Sequence, residues 1–307
     1  MIRGETPSRG IRPLGVSLIL RKKDNEMAIF TNQANLILNG RTVSSNVTTG
    51  EVTSGLTLTK TSISRDYGRN DHVSYIVTVS NNGAEITGAT LTDDLGSYTV
   101  GENTVTPFTY VDDSLLFYRD GELVEGPTVV AGPPLVITGI NIPAGGNVQI
   151  IYEAATNEYT PLMSGASVTN TATLEGVCET LTDTAVVTAR DEQALTIAKA
   201  ICPSRVTECG EISYTLILQN SGNVPVVATD DLIVTDTFTP ILNPITVTLD
   251  GQTLEEGIGY TYDATTGEFA TLPGALTVPA ATYLQDPQTG LYSVTPGVAT
   301  LTIAGNV

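Results

Sequence analysis

The chain has 307 residues, with 14 lysines and arginines against 33 aspartates and glutamates, a net charge of −19 and a pI near 4.2. This balance argues against nucleic acid, whose phosphates call for basic patches, and against anionic membrane surfaces. No run is apolar for long enough to cross a bilayer as a helix. Runs rich in Thr and Val alternate with Gly, Pro, Asn and Asp clusters, and tryptophan is absent, which together predict an all-β protein of two domains.

Residues 1–26, MIRGETPSRGIRPLGVSLILRKKDNE, are basic but contain only the short apolar run GVSLIL. They lack a small-residue cleavage site, so they make a poor secretion signal. All the repeat-like sequence begins after Met27, so Met27 is the expected natural start in place of Met1, and residues 1–26 read as a misassigned leader or a disordered tail. Residues 27–52 follow as a strand or hairpin in which Phe30, Asn32, Ala34 and Leu36 share one face.

Residues 53–190 form the first of two repeat units. Its predicted strands run LTLTK (56–60), SYIVTVSNNG (74–83), TLTD (90–93), LLFYRDGELVEG (115–126), INIPAGGNVQIIY (140–152) and the closing pair SVTNTATLEGVCETLTDTAVVT (167–188). Residues 191–307 repeat the order as LTIAK (195–199), SYTLILQNSG (213–222), IVTD (233–236), ITVTLDGQTLEEG (245–257) and YSVTPGVATLTI (292–303). Tyr75, Asn81 and Gly83 recur as Tyr214, Asn220 and Gly222, and both units carry an Asp-Gly hairpin turn. The spacing is that of a β-sandwich.

The closing pair has no counterpart after Ile303. Its match stands at the other end, where TNQANL (31–36) agrees with TNTATL (169–174) at four of six positions. The sequence repeat and the folded domain are therefore out of phase by one hairpin. An uncovered sandwich edge invites pairing with another chain. The arrangement predicts that residues 27–52 of one molecule complete the second domain of the next, giving a head-to-tail homopolymer. A piece of a longer repeat protein, or a hairpin folding back within its own chain, would share this pattern.

Outside the leader, Lys60 and Lys199 are the only lysines. Alternation turns each inward with Leu56 and Leu58, or Leu195 and Ile197. A buried ammonium must be paired or give up its proton. Asp93 shares a face with Leu91, Asp236 with Val234, and Asn170 with Val168, Ala172 and Leu174. Lysine, aspartate and asparagine thus converge in the core. They support either an ion pair with an added amide hydrogen bond, or a Lys–Asn isopeptide bond in which a neutral amine attacks the amide and ammonia leaves. Lys60, Asn170 and the assisting acid Asp93 form the set within the first domain. Glu153 is a weaker acid candidate, having no counterpart near Ala304. In the second domain Lys199 and Asp236 would meet Asn32 of a neighbouring molecule.

Cys202 and Cys209 flank a loop as a candidate local disulfide, the alternative being two unpaired thiols, and Cys178 is left over. His72 is the only histidine, which argues against a hydrolase triad or a histidine-rich metal site. Its counterpart is Glu211. The pairs Asp93–Asp94, Asp112–Asp113 and Asp230–Asp231 lack the alternating ligands of a calcium loop. No phosphate-binding glycine loop is present, so neither an enzyme nor a cofactor is expected.

The ordered strings LTLTK, SYIVTVSNNG, TLTDDL, IPAGGNVQIIYEA and VTNTATL resemble the conserved-repeat domain of large bacterial and archaeal surface proteins. They are also similar to the isopeptide-forming shaft domains of Gram-positive fimbriae. The resemblance covers nearly all of residues 31–307 in two copies, the second without the late N-x-A strand. It implies two tandem Ig-like β-sandwiches at a cell or spore surface, serving as a filament subunit or as the stalk of a larger adhesin or surface-layer protein. Assembly of spore appendages before lysis of the mother cell would need no secretion signal.

Overall fold

The computed structural model describes residues 28–52 and 55–307. The leader and the choice between Met1 and Met27 lie outside them. The described chain is a succession of strands, antiparallel except for the parallel pairing of Leu181–Ala189 with Asp66–Tyr67, with one short 3-10 turn at Ala228–Asp230, so the all-β class read from Thr/Val alternation holds.

Residues up to Thr57 form a unit of their own. In it Ala28–Asn32 pairs with Thr48–Val52, and Asn35–Leu38 pairs with Arg41–Ser44. Asn39 and Gly40 both take positive φ (50° and 78°) at the tip, the backbone that a two-residue turn between right-twisted strands requires. Between the two ladders, Ser45 donates its N–H to the Ala34 carbonyl (2.8 Å) and accepts the Ala34 N–H on Oγ (2.9 Å). The result is one long hairpin with a local interruption. Leu36, Ile37, Leu38 and Val43 are 63–69% exposed, so successive residues leave apolar side chains uncovered on both faces.

Residues 58–307 form the second unit, which contains both sandwiches. In the first, one sheet runs Glu122–Val124, Leu116–Arg119, Asn147–Thr156, His72–Asn81, Leu56–Ser62. The facing sheet runs Thr128–Val130, Leu135–Ile142, Ile86–Asp93, Ser167–Glu175, Leu181–Ala189, Asp66–Tyr67. Strict alternation fills the space between: Val73, Tyr75, Val77 and Val79 point in from one sheet, and Ala89 and Leu91 from the other, all fully buried. Side chains two residues apart meet the same layer, which is why period 2 in the sequence became one face of the core.

The second sandwich repeats the first sheet. Leu195–Cys202, Glu211–Asn220, Gly297–Asn306, Ile245–Leu249 and Gln252–Thr253 are hydrogen-bonded in that order. Ile212, Leu216, Leu301, Ile303 and Phe238 are among its buried residues. The Asp-Gly turns recur with positive φ at Asp120–Gly121 and Asp250–Gly251. The paired asparagines also match. Asn81 accepts the Gly83 N–H (2.8 Å) and Asn220 accepts the Gly222 N–H (2.9 Å), so each buried amide locks the turn after its strand.

The facing sheet does not repeat. It consists of Thr235–Thr237, Glu268–Thr271 and Tyr260–Tyr262. In the first sandwich Ile86–Asp93 lies between two strands; its counterpart Thr235–Thr237 is paired only with Glu268–Thr271 among the described residues. That strand is three residues long where the first domain's is eight. A strand without a partner on one side keeps fewer ladder bonds to hold it extended.

Candidate functional site

In the first sandwich Lys60 comes from one sheet, Asp93 and Asn170 from the other, and all three are buried, at 3%, 0% and 0% exposure. The Lys60 ammonium lies 2.5 Å from Asp93 Oδ2. It also sits over the Tyr75 ring, 5.0 Å from its centroid, and 6.0 Å from that of Tyr152, where the ring faces attract a cation. Asp93 Oδ1 accepts the Leu95 N–H at 3.1 Å. Asp183 anchors the lysine strand from the side, its Oδ2 accepting the Lys60 backbone N–H at 2.6 Å.

Tyr152, not singled out in the sequence, joins the group. Its hydroxyl donates to Asp93 Oδ2 (2.6 Å) and accepts from Asn170 Nδ2 (3.3 Å). Tyr152 stacks on Tyr75 with centroids 5.5 Å apart. The apolar run leading into NVQIIYEA was the available signal, because it places Val148, Ile150 and Tyr152 on one inward face. Asn170 Oδ1 and the Tyr75 hydroxyl are buried with no hydrogen-bond partner among the described residues. A buried carbonyl left unpaired costs about 1–3 kcal/mol, and here it belongs to an amide in the same dry cluster as an amine.

Burial drives the Lys60 pKa below its ordinary value, and the adjacent Asp93 carboxylate, with Asp94 and Asp183 behind it, offsets only part of that. Removing the site from water favours the uncharged amine. Burial likewise pushes the Tyr152 and Tyr75 phenols up, so both keep their protons. Glu153 faces outward and bonds exposed His72 (3.1 Å). It lies on the other face of its strand from Tyr152, which leaves Asp93 as the acid at the lysine.

The second domain has the same pair in a different setting. Lys199 Nζ hydrogen-bonds Asp236 Oδ2 and sits 4.4 Å from the Tyr214 ring centroid. The lysine side chain is nevertheless 40% exposed and the aspartate 16%. Lys199 thus faces Asp236, while the burial expected of it is not found. Every residue of Leu195–Cys202 is exposed, Leu195, Ile197 and Ile201 by 41%, 56% and 43%. The facing sheet is shorter: among the described residues no strand pairs with Thr235–Thr237 on the side where Ser167–Glu175 pairs with Ile86–Asp93 in the first domain. Asn32 lies on the N-terminal hairpin and is exposed, as are Phe30, Ala34 and Leu36.

Cys178, Cys202 and Cys209 are free and exposed, so the bridge considered for Cys202 and Cys209 is not formed. Cys202 ends a strand in register with Ser213, whereas Cys209 sits in a left-handed turn (φ 61°) and donates its N–H to the Val307 carbonyl (3.2 Å).

No protein-family model matches the chain, and neither does any curated protein. Among solved structures, it is similar to the major pilin subunit BcpA of Bacillus cereus, with 11% identity over 88% of this chain and 74% of that one and a TM-score of 0.33. It is similar to a C-terminal fragment of the major pilin of Streptococcus agalactiae, with 12% identity over 80% and 91% and a TM-score of 0.33. It also resembles the collagen-binding subdomain of the Enterococcus faecalis surface protein ACE, with 10% identity over 44% and 97% and a TM-score of 0.29.

Proposed function

We propose that the chain is a structural subunit of an extracellular or spore-surface filament, joined head to tail by strand exchange and closed by Lys–Asn isopeptide bonds. The observation that carries this reading is a pair of complementary surfaces on one chain. The N-terminal hairpin leaves apolar residues uncovered on both faces, and the second sandwich leaves uncovered the face and edge that a closing hairpin occupies in the first. The matching TNxAxL segments say which piece belongs there. In the first domain Ala172 pairs with Asp93 and Leu174 with Leu91. The same register places Ala34 of one molecule opposite Asp236 of the next, and Leu36 opposite Val234. Asn32 then reaches Lys199 as Asn170 reaches the Lys60 cluster.

The chemistry needs no cofactor. With Lys60 uncharged and Asp93 protonated, Nζ attacks Asn170 Cγ, the Nζ–Cγ bond forms, and the Cγ–Nδ2 bond breaks. Nδ2 leaves as ammonia with one added proton. The lysine nitrogen returns a proton to Asp93, which ends as it began. Proximity in a dry site replaces an external catalyst. The bland alternative, a permanent Lys60–Asp93 ion pair, would satisfy the two charges but leaves Asn170 Oδ1 unpaired.

Intact-mass measurement of monomer and of polymer tests the reading. The monomer should lack one ammonia relative to its sequence, and each polymer joint one more. A chain with residues 28–52 deleted should lose only the internal ammonia and form no filaments by electron microscopy. Filaments that persist after this deletion would defeat strand donation, and a monodisperse monomer indifferent to the deletion would defeat the filament reading in favour of a stalk. Filaments that a boiling reducing gel dissolves wholly to monomer would defeat the covalent joint alone.

A further inference from the structure

The two lysine sites differ at one position that the strand registers identify. Tyr152 lies opposite Tyr75, and Ile303 lies opposite Tyr214. Since Tyr75 and Tyr214 are repeat counterparts, isoleucine stands in the second domain where tyrosine stands in the first. Both are fully buried, so the exchange removes a hydroxyl from the interior of the second site.

That hydroxyl occupies a particular place. Asp93 Oδ2 holds the Lys60 ammonium and the Tyr152 hydroxyl, and Oδ1 holds the Leu95 N–H. Asn170 Nδ2 donates to the Tyr152 hydroxyl at 3.3 Å. The acid and the amide nitrogen are therefore linked through Tyr152. From this geometry we infer that Tyr152 is a further catalytic residue of the bond-forming reaction, relaying a proton from Asp93 to the departing Asn170 nitrogen, and that the Lys199 joint works without it. The inference rests on the isopeptide reading given above.

The relay balances without any further reactant. Once Nζ has attacked and Nδ2 has become the amine of a tetrahedral adduct, both hydrogen bonds reverse: protonated Asp93 donates to the Tyr152 oxygen while the Tyr152 O–H proton passes to Nδ2. The Cγ–Nδ2 bond then breaks with its electron pair on ammonia, and Lys60 Nζ, now bonded to Cγ, gives its surplus proton to Asp93. Tyr152 ends protonated. Its buried phenol is held well above its ordinary pKa, so it serves as a conduit and not as a base. At the joint, Asp236 has no such conduit, and transfer to the departing Asn32 nitrogen must go directly or through water. The internal bond should therefore form first and the joint bond later, once strand exchange has brought Asn32 in.

The test is the time course of ammonia loss by intact mass on the full chain, after rapid refolding. Positioned proton transfer is worth about 100- to 10,000-fold, so Tyr152→Phe should slow the internal bond by at least about 100-fold. In the polymer, Ile303→Tyr should accelerate the joint bond, a gain that a purely structural role for tyrosine would not produce. Melting of Asn170→Ala with and without Tyr152→Phe measures the packing effect of the hydroxyl apart from the reaction. Bond formation in Tyr152→Phe at the wild-type rate, with wild type losing its ammonia normally, would overturn the relay and leave the isopeptide reading intact. A wild-type chain that never loses ammonia would overturn both.

Discussion

Leu36 and Leu174 occupy the same place in the repeat but should behave as opposites. Leu174 is fully buried in the first sandwich, and Leu36 is 67% exposed on the hairpin. Truncating a buried leucine to alanine costs about 2–5 kcal/mol through lost transfer energy and the cavity left behind. Leu174→Ala should therefore lower the stability of the isolated chain by that amount. Leu36→Ala should leave the isolated chain within about 0.5 kcal/mol of wild type, as exposed substitutions do. On the strand-exchange proposal its effect should fall on the joint, where Leu36 would take the place opposite Val234 that Leu174 holds opposite Leu91. With about 1.4 kcal/mol for each factor of ten, each joint should weaken by roughly 30- to 3,000-fold. The assay is the critical concentration for assembly by sedimentation, in an Asn32→Ala background that prevents the covalent bond from masking the equilibrium. Calorimetric melting of the monomer runs alongside. Leu36→Ala filaments with an unchanged critical concentration, or a monomer destabilised as much as by Leu174→Ala, would refute the reasoning.

Three further outcomes follow from the buried polar groups. Lys60→Ala should abolish the internal ammonia loss and, by stranding Asp93 in the core, destabilise the first sandwich by about 3–5 kcal/mol, read by denaturant melting. Asn81→Ala and Asn220→Ala each remove a buried amide that closes the turn after its strand, and each should cost about 1–3 kcal/mol, checked by the same melts. Burial raises the Tyr67, Tyr75 and Tyr152 phenols above their ordinary value of 10.0. A raised folded value means that the unfolded chain releases those protons first. Stability from these groups is full below pH 10 and falls above it, by about 1.4 kcal/mol per pH unit for each phenol. Spectrophotometric titration should show a late class of tyrosines that ionises together with unfolding, and free titration of all tyrosines near pH 10 in the folded chain would contradict their burial.

Much of this protein is written in its local pattern. Period-2 alternation identified the inward faces of the strands, because a strand's side chains must point to opposite sides whatever surrounds it. The repeat identified which strands correspond, and the two lone lysines identified where charge would meet the core. Lys60, Asp93 and Asn170 do meet, since each follows an apolar face and the two faces enclose one layer. Burial is another matter, for it depends on what covers a face. Lys199 faces Asp236 as Lys60 faces Asp93 yet stays 40% exposed, because among the described residues no strand covers the other edge of Thr235–Thr237. Tyr152 entered the site only through tertiary structure. Its hydroxyl reaches across the layer between two sheets, to partners 59 and 18 residues away in sequence, a distance that no local pattern spans.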